Sequence, residues 1–242
     1  MPSRRRKLLQ QHPKVVERYV RLLIHRRALT IAQAVARRLT RPRLQLSERK
    51  RRAVLISALE TCAREAAKAK RLNFHASATV LNLGLFFLIA ERDVQAVKID
   101  ALTHPDAWQR SLCARVILLT IHELDMDKVA GNQLRQAMSD TNVPELLRKE
   151  VESSLRRVRK AQEKAQRQFS ALRNSTIAHR DADAVYQHRA ITKLDSLEVI
   201  RIAAEFYDGT HGFIAVLPDL LKHVGAIPGL LSQASAQANR TP

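Results

Sequence analysis

Apolar residues recur along this chain at the three- and four-residue spacing of helices, and nowhere does a sustained apolar–polar alternation mark a strand. The pattern predicts an all-α fold. Near the N-terminus, "VVERYVRLLIHRRALTIAQAVARRL" and "AVLISALETCAREAAKAKRL" read as two amphipathic helices separated by "TRPRLQLS", with Pro42 breaking the first and Ser47 placed to cap the second. An apolar helix is expected at about 74 to 92. Another should open at "HPDAW", with Pro105 in its first turn. Between 144 and 172, Val151, Leu155, Val158, Gln162, Ala165, Phe169 and Leu172 alternate spacings of four and three, a coiled-coil-like seam that a partner helix could cover. Asp195 and Glu198 have capping-box spacing and open a helix with Leu197, Ile200, Ala204 and Tyr207 on one face. The closing "SQASAQANRTP" reads as a frayed tail.

Composition narrows the class. With 242 residues, 45% of them hydrophobic, and only 6 Gly and 8 Pro, the chain can bury a sizeable helical core. Cys62 and Cys113 form no CxxC pair, which argues against a zinc finger, a redox motif or a disulfide framework and fits a reducing cytoplasm. The longest apolar run, "VLNLGLFFLIA", is too short to span a bilayer, and the "SRRRK" start lacks the apolar core of a signal peptide.

Charge changes the picture more. Of the formal net charge of +19, residues 1–73 carry +17 on 21 Lys/Arg and 4 Asp/Glu, while residues 74–242 are nearly neutral. So steep a concentration of cations suits a polyanion, because each neutralised phosphate releases condensed counterions. Nucleic acid is therefore the first partner to expect. A membrane is not expected, although an anionic lipid surface defines a competing class of interaction module.

The chemistry points to one stretch. An Arg followed at short range by a His recurs, as at Arg6/His12, Arg18/His25, Arg115/His122 and Arg173/His179, so the pair alone says little in an Arg-rich chain. The last pair differs in its surroundings: Asn174 follows the Arg, Arg180 and Asp181 follow the His, a long helix precedes and a capped helix follows. "IHELDMDK" gathers His122, Glu123, Asp125 and Asp127 but supplies no second His, and reads as a solvated helix end. No Gly-rich phosphate loop is present; no metal site or cofactor is expected. Trp108 reads as core, and His75 and His104 as surface or capping residues.

"LRNSTIAHRDADA" resembles the signature of HEPN domains, the higher-eukaryote and prokaryote nucleotide-binding family, in particular its AbiU-like abortive-infection branch. The resemblance is clearest over residues 104 to 223, weaker over 74 to 103 and absent before that. It implies a helical bundle of the HEPN type at 74–223, preceded by an extra basic helical segment at 1–73 and followed by a tail at 224–242. It implies metal-independent RNA cleavage at a site shared by two protomers, hence a homodimer and a toxin or antiphage role, with a neutralising antitoxin or another protein as further partner. In that setting His179 would shuttle the proton, Arg173 would stabilise the charged phosphorane and Asn174 would position it. Arg180 and Asp181 would meet the substrate or, for Asp181, orient the imidazole or cap the next helix. The alternative is a non-catalytic member of the same fold that binds nucleic acid or a protein.

Overall fold

The structure is a computed structural model describing residues 13–129, 131–172 and 183–238. Its regular elements are helices, as the periodicity predicts: α1 (Pro13–Arg71), α2 (His75–Thr103), α3 (Ala107–His122), the single turn α4 (Met126–Val129), α5 (Gly131–Asp140), α6 (Glu145–Leu172), α7 (Ala184–Lys193), α8 (Ser196–Gly225) and α9 (Ile227–Ala238). No single helix among the described residues is long and apolar enough to cross a membrane.

The core forms where α2, α3, α6 and α8 converge. Val80, Leu83, Phe87 and Val94 of α2 meet Ile117, Leu118 and Ile121 of α3, Val151, Val158 and Ala165 of α6, and Ile202, Phe206, Phe213 and Leu220 of α8. The Phe87 and Phe213 rings meet edge to face at 5.2 Å, which orients the two helices beyond what area burial alone would do. Because α2 is apolar on several faces, it is covered on its other side as well. There α1 lays Leu55, Cys62, Ala66 and Ala69 against Leu81 and Leu88.

Several sequence expectations change. Pro42 does not end a helix, and Ser47 lies inside α1 rather than capping a second one. A proline removes one backbone donor and crowds the preceding turn, but here the adjoining turns are tied down. Arg41 pairs with Asp100 of α2 at 2.7 Å, and the carboxylate of Glu48 is buried against Lys98 at 2.9 Å and Gln95 at 3.1 Å. Burial works against ionisation of Glu48, yet these contacts hold its carboxyl below the ordinary glutamate range. A turn at Asn73, with φ 58°, separates α1 from α2 but not their cores, since the second half of α1 packs into the body.

Pro105 precedes the cap instead of sitting in the first turn: Asp106 is the N-cap of α3 and accepts from the Trp108 amide at 3.0 Å. His104, read as a surface or capping residue, is the C-cap of α2, and its Nδ1 accepts from the Asp106 amide. The expected tail is helical through Ala238, and Gln233 within it accepts from the Ala76 amide at 3.1 Å.

The seam on α6 is real, but it faces this chain's own core. Val151, Val158, Ala161 and Ala165 are fully buried, whereas Leu155 and Gln162 lie at its margin. From Val151 to Ala165 it therefore offers no open surface to a partner helix. Its closest neighbour is α8, where an added Cβ at Gly209 would lie 2.7 Å from the Val158 amide nitrogen. Gly209→Ala should consequently push α8 off α6 and cost about 1–3 kcal/mol, seen as a lower midpoint in urea. An unchanged midpoint would show that the two helices can separate without loss.

Candidate nucleic-acid interface

Arg173, Asn174, His179, Arg180 and Asp181 all lie outside the described residues. What the structure places is their frame: the last turn of α6 on one side, and Asp183 with α7 on the other. Asp183 is the N-cap of α7, its carboxylate accepting from the amides of Val185 and Tyr186 at 2.9 and 3.0 Å.

α3 supplies the floor of this frame. Trp108, Ser111 and Arg115 fall at i, i+3 and i+7, one face of the helix. Ser111 Oγ donates to the Ile191 carbonyl of α7 at 3.0 Å, which pins the two helices together. One turn earlier on α7, His188 lies over Trp108 with the rings 28° from parallel and their centres 6.3 Å apart. At the far end of α3, Gln162 of α6 donates to the His122 and Leu124 carbonyls. Since Gln168 of α6 lines a cleft with Tyr186, Arg189 and Lys193 of α7, α6 and α3 run antiparallel and the end of α6 returns to the start of α3. That cleft has a volume of about 680 Å³, and Asp195 and Glu198 balance its two cations.

Arg115 stands out electrostatically. Only 5% of it is exposed, its Nε donates to the Ser111 carbonyl at a long 3.4 Å, and its guanidinium carbon lies 6.0 Å from the Trp108 ring centre. Burial pushes its pKa down, and no carboxylate among the described residues opposes that shift. Trp108, expected in the core, is 47% exposed: its ring bridges α3 and α7 at the surface.

The basic front meets the same helix end from the other side. Arg110, two residues past Trp108 and therefore about 200° around the helix, donates to the carbonyls of His104 and Pro105 at 2.6 and 2.9 Å. Burial and then the nearby Arg37 of α1 lower its pKa, while Asp106 works the other way. The first turn of α3 thus separates the cations of α1 from the frame of the Arg-His stretch by about one helix diameter, ~10 Å.

The remaining polar clusters are structural in their contacts. His122 pairs with Glu123 at 3.2 Å, Asp125 caps the Lys128 amide at 2.9 Å and Asp127 pairs with Arg159 at 2.9 Å. Among the described residues no three His, Cys, Asp or Glu side chains stand close enough together to hold a metal ion. Glu91 is largely buried against Thr210; burial raises its pKa, and the Thr210 hydroxyl, His211 and Lys98 offset part of the rise.

Trp108, Ser111, Arg115 and His188 were not singled out by the sequence as a group. The signal was the i, i+3, i+7 spacing on α3, but the contribution of α7 is a tertiary fact that spacing does not carry. No family model, curated protein or solved structure matches the chain.

The N-cap generates a local test. Asp183→Ala removes the acceptor for two amides and should cost about 1 kcal/mol of helix stability. Hydrogen exchange across 184–193 should then accelerate roughly fivefold, since each 1.4 kcal/mol is about a factor of ten. Unchanged exchange would show that Ser111 and Trp108 alone hold α7 in place.

Proposed function

We propose that this protein is a metal-independent endoribonuclease of the HEPN type, acting as a toxin or antiphage effector. The observation that supports the reading is the position of Arg173, Asn174 and His179 in the sequence, between the end of a 28-residue helix and a capped helix that carries His188 and Arg189. The +17 carried by residues 1–73 supplies the attraction for RNA, and α1 brings Arg37 to the same end of α3.

The reaction needs two things from the protein. His179 takes the proton from a ribose 2′-hydroxyl as its oxygen attacks the adjacent phosphorus, the bond to the 5′-oxygen of the next nucleotide breaks, and that oxygen takes a proton from water. The products are a 2′,3′-cyclic phosphate and a free 5′-hydroxyl. Arg173 holds the non-bridging oxygens through two parallel hydrogen bonds as charge builds on them, and Asn174 fixes one of those oxygens. Arg180 and Asp181 bind or orient the substrate. The two-protomer site, and with it the homodimer, rests on the family resemblance, because the α6 seam is already covered within the chain.

A non-catalytic interaction module is the second reading. It is favoured by Val20, Ile24, Ile31, Val35 and Leu39, which stand exposed among the arginines of α1 and could receive a neutralising protein.

Cleavage should persist in EDTA, leave a 2′,3′-cyclic phosphate on the upstream fragment and spare DNA, which lacks the nucleophile. His179→Ala should reduce the rate by at least about 10²-fold with RNA affinity retained. Arg173→Lys should fail as well, because an ammonium cannot reproduce the guanidinium fork. Loss of cutting on chelation, equal cutting of DNA, or an active His179→Ala protein would transfer the case to the interaction module.

A further inference from the structure

We infer that Arg115, together with the Trp108 and His188 rings, forms a binding subsite for one RNA nucleotide, with the guanidinium on its phosphate and the rings against its base. This deepens the RNA-binding part of the proposed function and rests on it. Cleavage itself is a separate question.

Arg115 brings a permanent charge into the folded body. A guanidinium has five N–H donors and cannot shed its proton at physiological pH. Buried charges are ordinarily paired, because taking one out of water without a counter-ion is costly. Only 5% of Arg115 is exposed, and its hydrogen bond among the described residues is the long contact from Nε to the Ser111 carbonyl. No carboxylate of the described residues pairs with it. Arg41, by contrast, has Asp100, and Arg148 has the carbonyls of Val143 and Met138. No carboxylate of the described residues is thus set against the forked end of Arg115.

Its surroundings specify what kind of anion. Trp108 is half exposed and carries the guanidinium near its ring, while the exposed His188 lies across from it. A bare phosphate or a carboxylate would have no use for two aromatic surfaces. A nucleotide uses both features, since flat side chains stack on bases irrespective of their sequence and arginine takes phosphate in a bidentate grip. Arg189, next to His188, adds a further exposed cation.

The location ties this subsite to the reacting one. Arg115 is one turn from Ser111, which is bonded to α7, and the antiparallel course of α6 brings its last turns to this part of α3. A nucleotide held here would belong to the same strand as the phosphate held by Arg173, at a neighbouring position.

The test measures affinity of a short fluorescein-labelled single-stranded RNA for the full chain carrying His179→Ala, across a series of KCl concentrations. Adding Arg115→Gln should weaken binding about tenfold and reduce the slope of log affinity against log salt by about 0.7, the value for one single-strand phosphate contact. Arg115→Lys should keep the slope, and Trp108→Ala should weaken binding with the slope unchanged. If Arg115→Gln fails to fold by circular dichroism, the lysine variant and Trp108→Ala decide: undiminished affinity in Trp108→Ala together with full affinity in Arg115→Lys overturns the subsite. A folded Arg115→Gln protein with wild-type affinity and slope overturns it too, and marks the arginine as structural. Displacement of the RNA by low-millimolar inorganic phosphate, equally with and without Arg115, also overturns the nucleotide assignment. The two proposals separate cleanly. A wild-type protein that binds RNA in an Arg115-dependent way without cutting it keeps the subsite and loses the nuclease; one that cuts RNA with kcat/KM indifferent to Arg115→Gln does the reverse.

Discussion

The close approach of α8 to the backbone of α6 sets the rest of the geometry. It requires Gly209, where any side chain would meet the Val158 amide, and Gly212, where a Cβ would meet the Ser154 hydroxyl and the Arg157 guanidinium. With α8 seated, Val158, Ala161 and Ala165 of α6 are buried, and the direction of α6 is fixed from Glu145 to Leu172. That direction decides where the Arg-His stretch begins. The Ser111 bond to Ile191 and the Asp183 cap decide where the chain resumes as α7. Packing on one side of α6 thereby sets where its last described turn, at Leu172, ends.

Charge obeys two different rules in this protein. At the α1–α2 boundary, buried charge is matched: Glu48 is held by Lys98 and Gln95, and Lys98 also lies over the Tyr207 ring at 5.0 Å. At the α3–α7 boundary, Arg115 is buried with no acid of the described residues set against it. The contrast matters because both regions belong to one folded body and face the same desolvation cost. A matched pair settles its region; at Arg115 the proposed nucleotide would supply the counter-charge. The exposed arginines of α1 differ again, since solvent screens them and their contribution is long-range capture more than a defined contact.

Much of the fold was legible because helices announce themselves by apolar spacing and by capping residues. Asp195 caps α8 as its sequence context predicts, accepting from the Leu197 amide. The misreadings share a cause, which is that tertiary contacts override local preference. Pro42 is a helix breaker only when the neighbouring turns lack anchors, and Arg41 and Glu48 provide them. The α6 seam has coiled-coil spacing, yet spacing cannot tell a partner helix in another chain from α8 in the same one. Trp108 looked like core because large apolar residues usually are, but His188 and Arg115 hold its ring at the surface. The candidate site was read only from its residue order at 173–181, outside the described residues, whereas the grouping of Trp108, Ser111 and Arg115 of α3 with His188 and Ile191 of α7 was not legible in the sequence.

The central claim is that the Arg173–His179 stretch and the Arg115 floor face one RNA strand. Side-chain NMR of the full chain, with labelled histidine and arginine, tests it directly when the protein is titrated with an RNA whose susceptible 2′-hydroxyl is replaced by hydrogen. The account predicts that the His179 ring and the Arg115 Nε–H signals shift together, with one apparent dissociation constant. Shifts confined to the arginines of α1, with His179 and Arg115 unmoved at saturation, would contradict it.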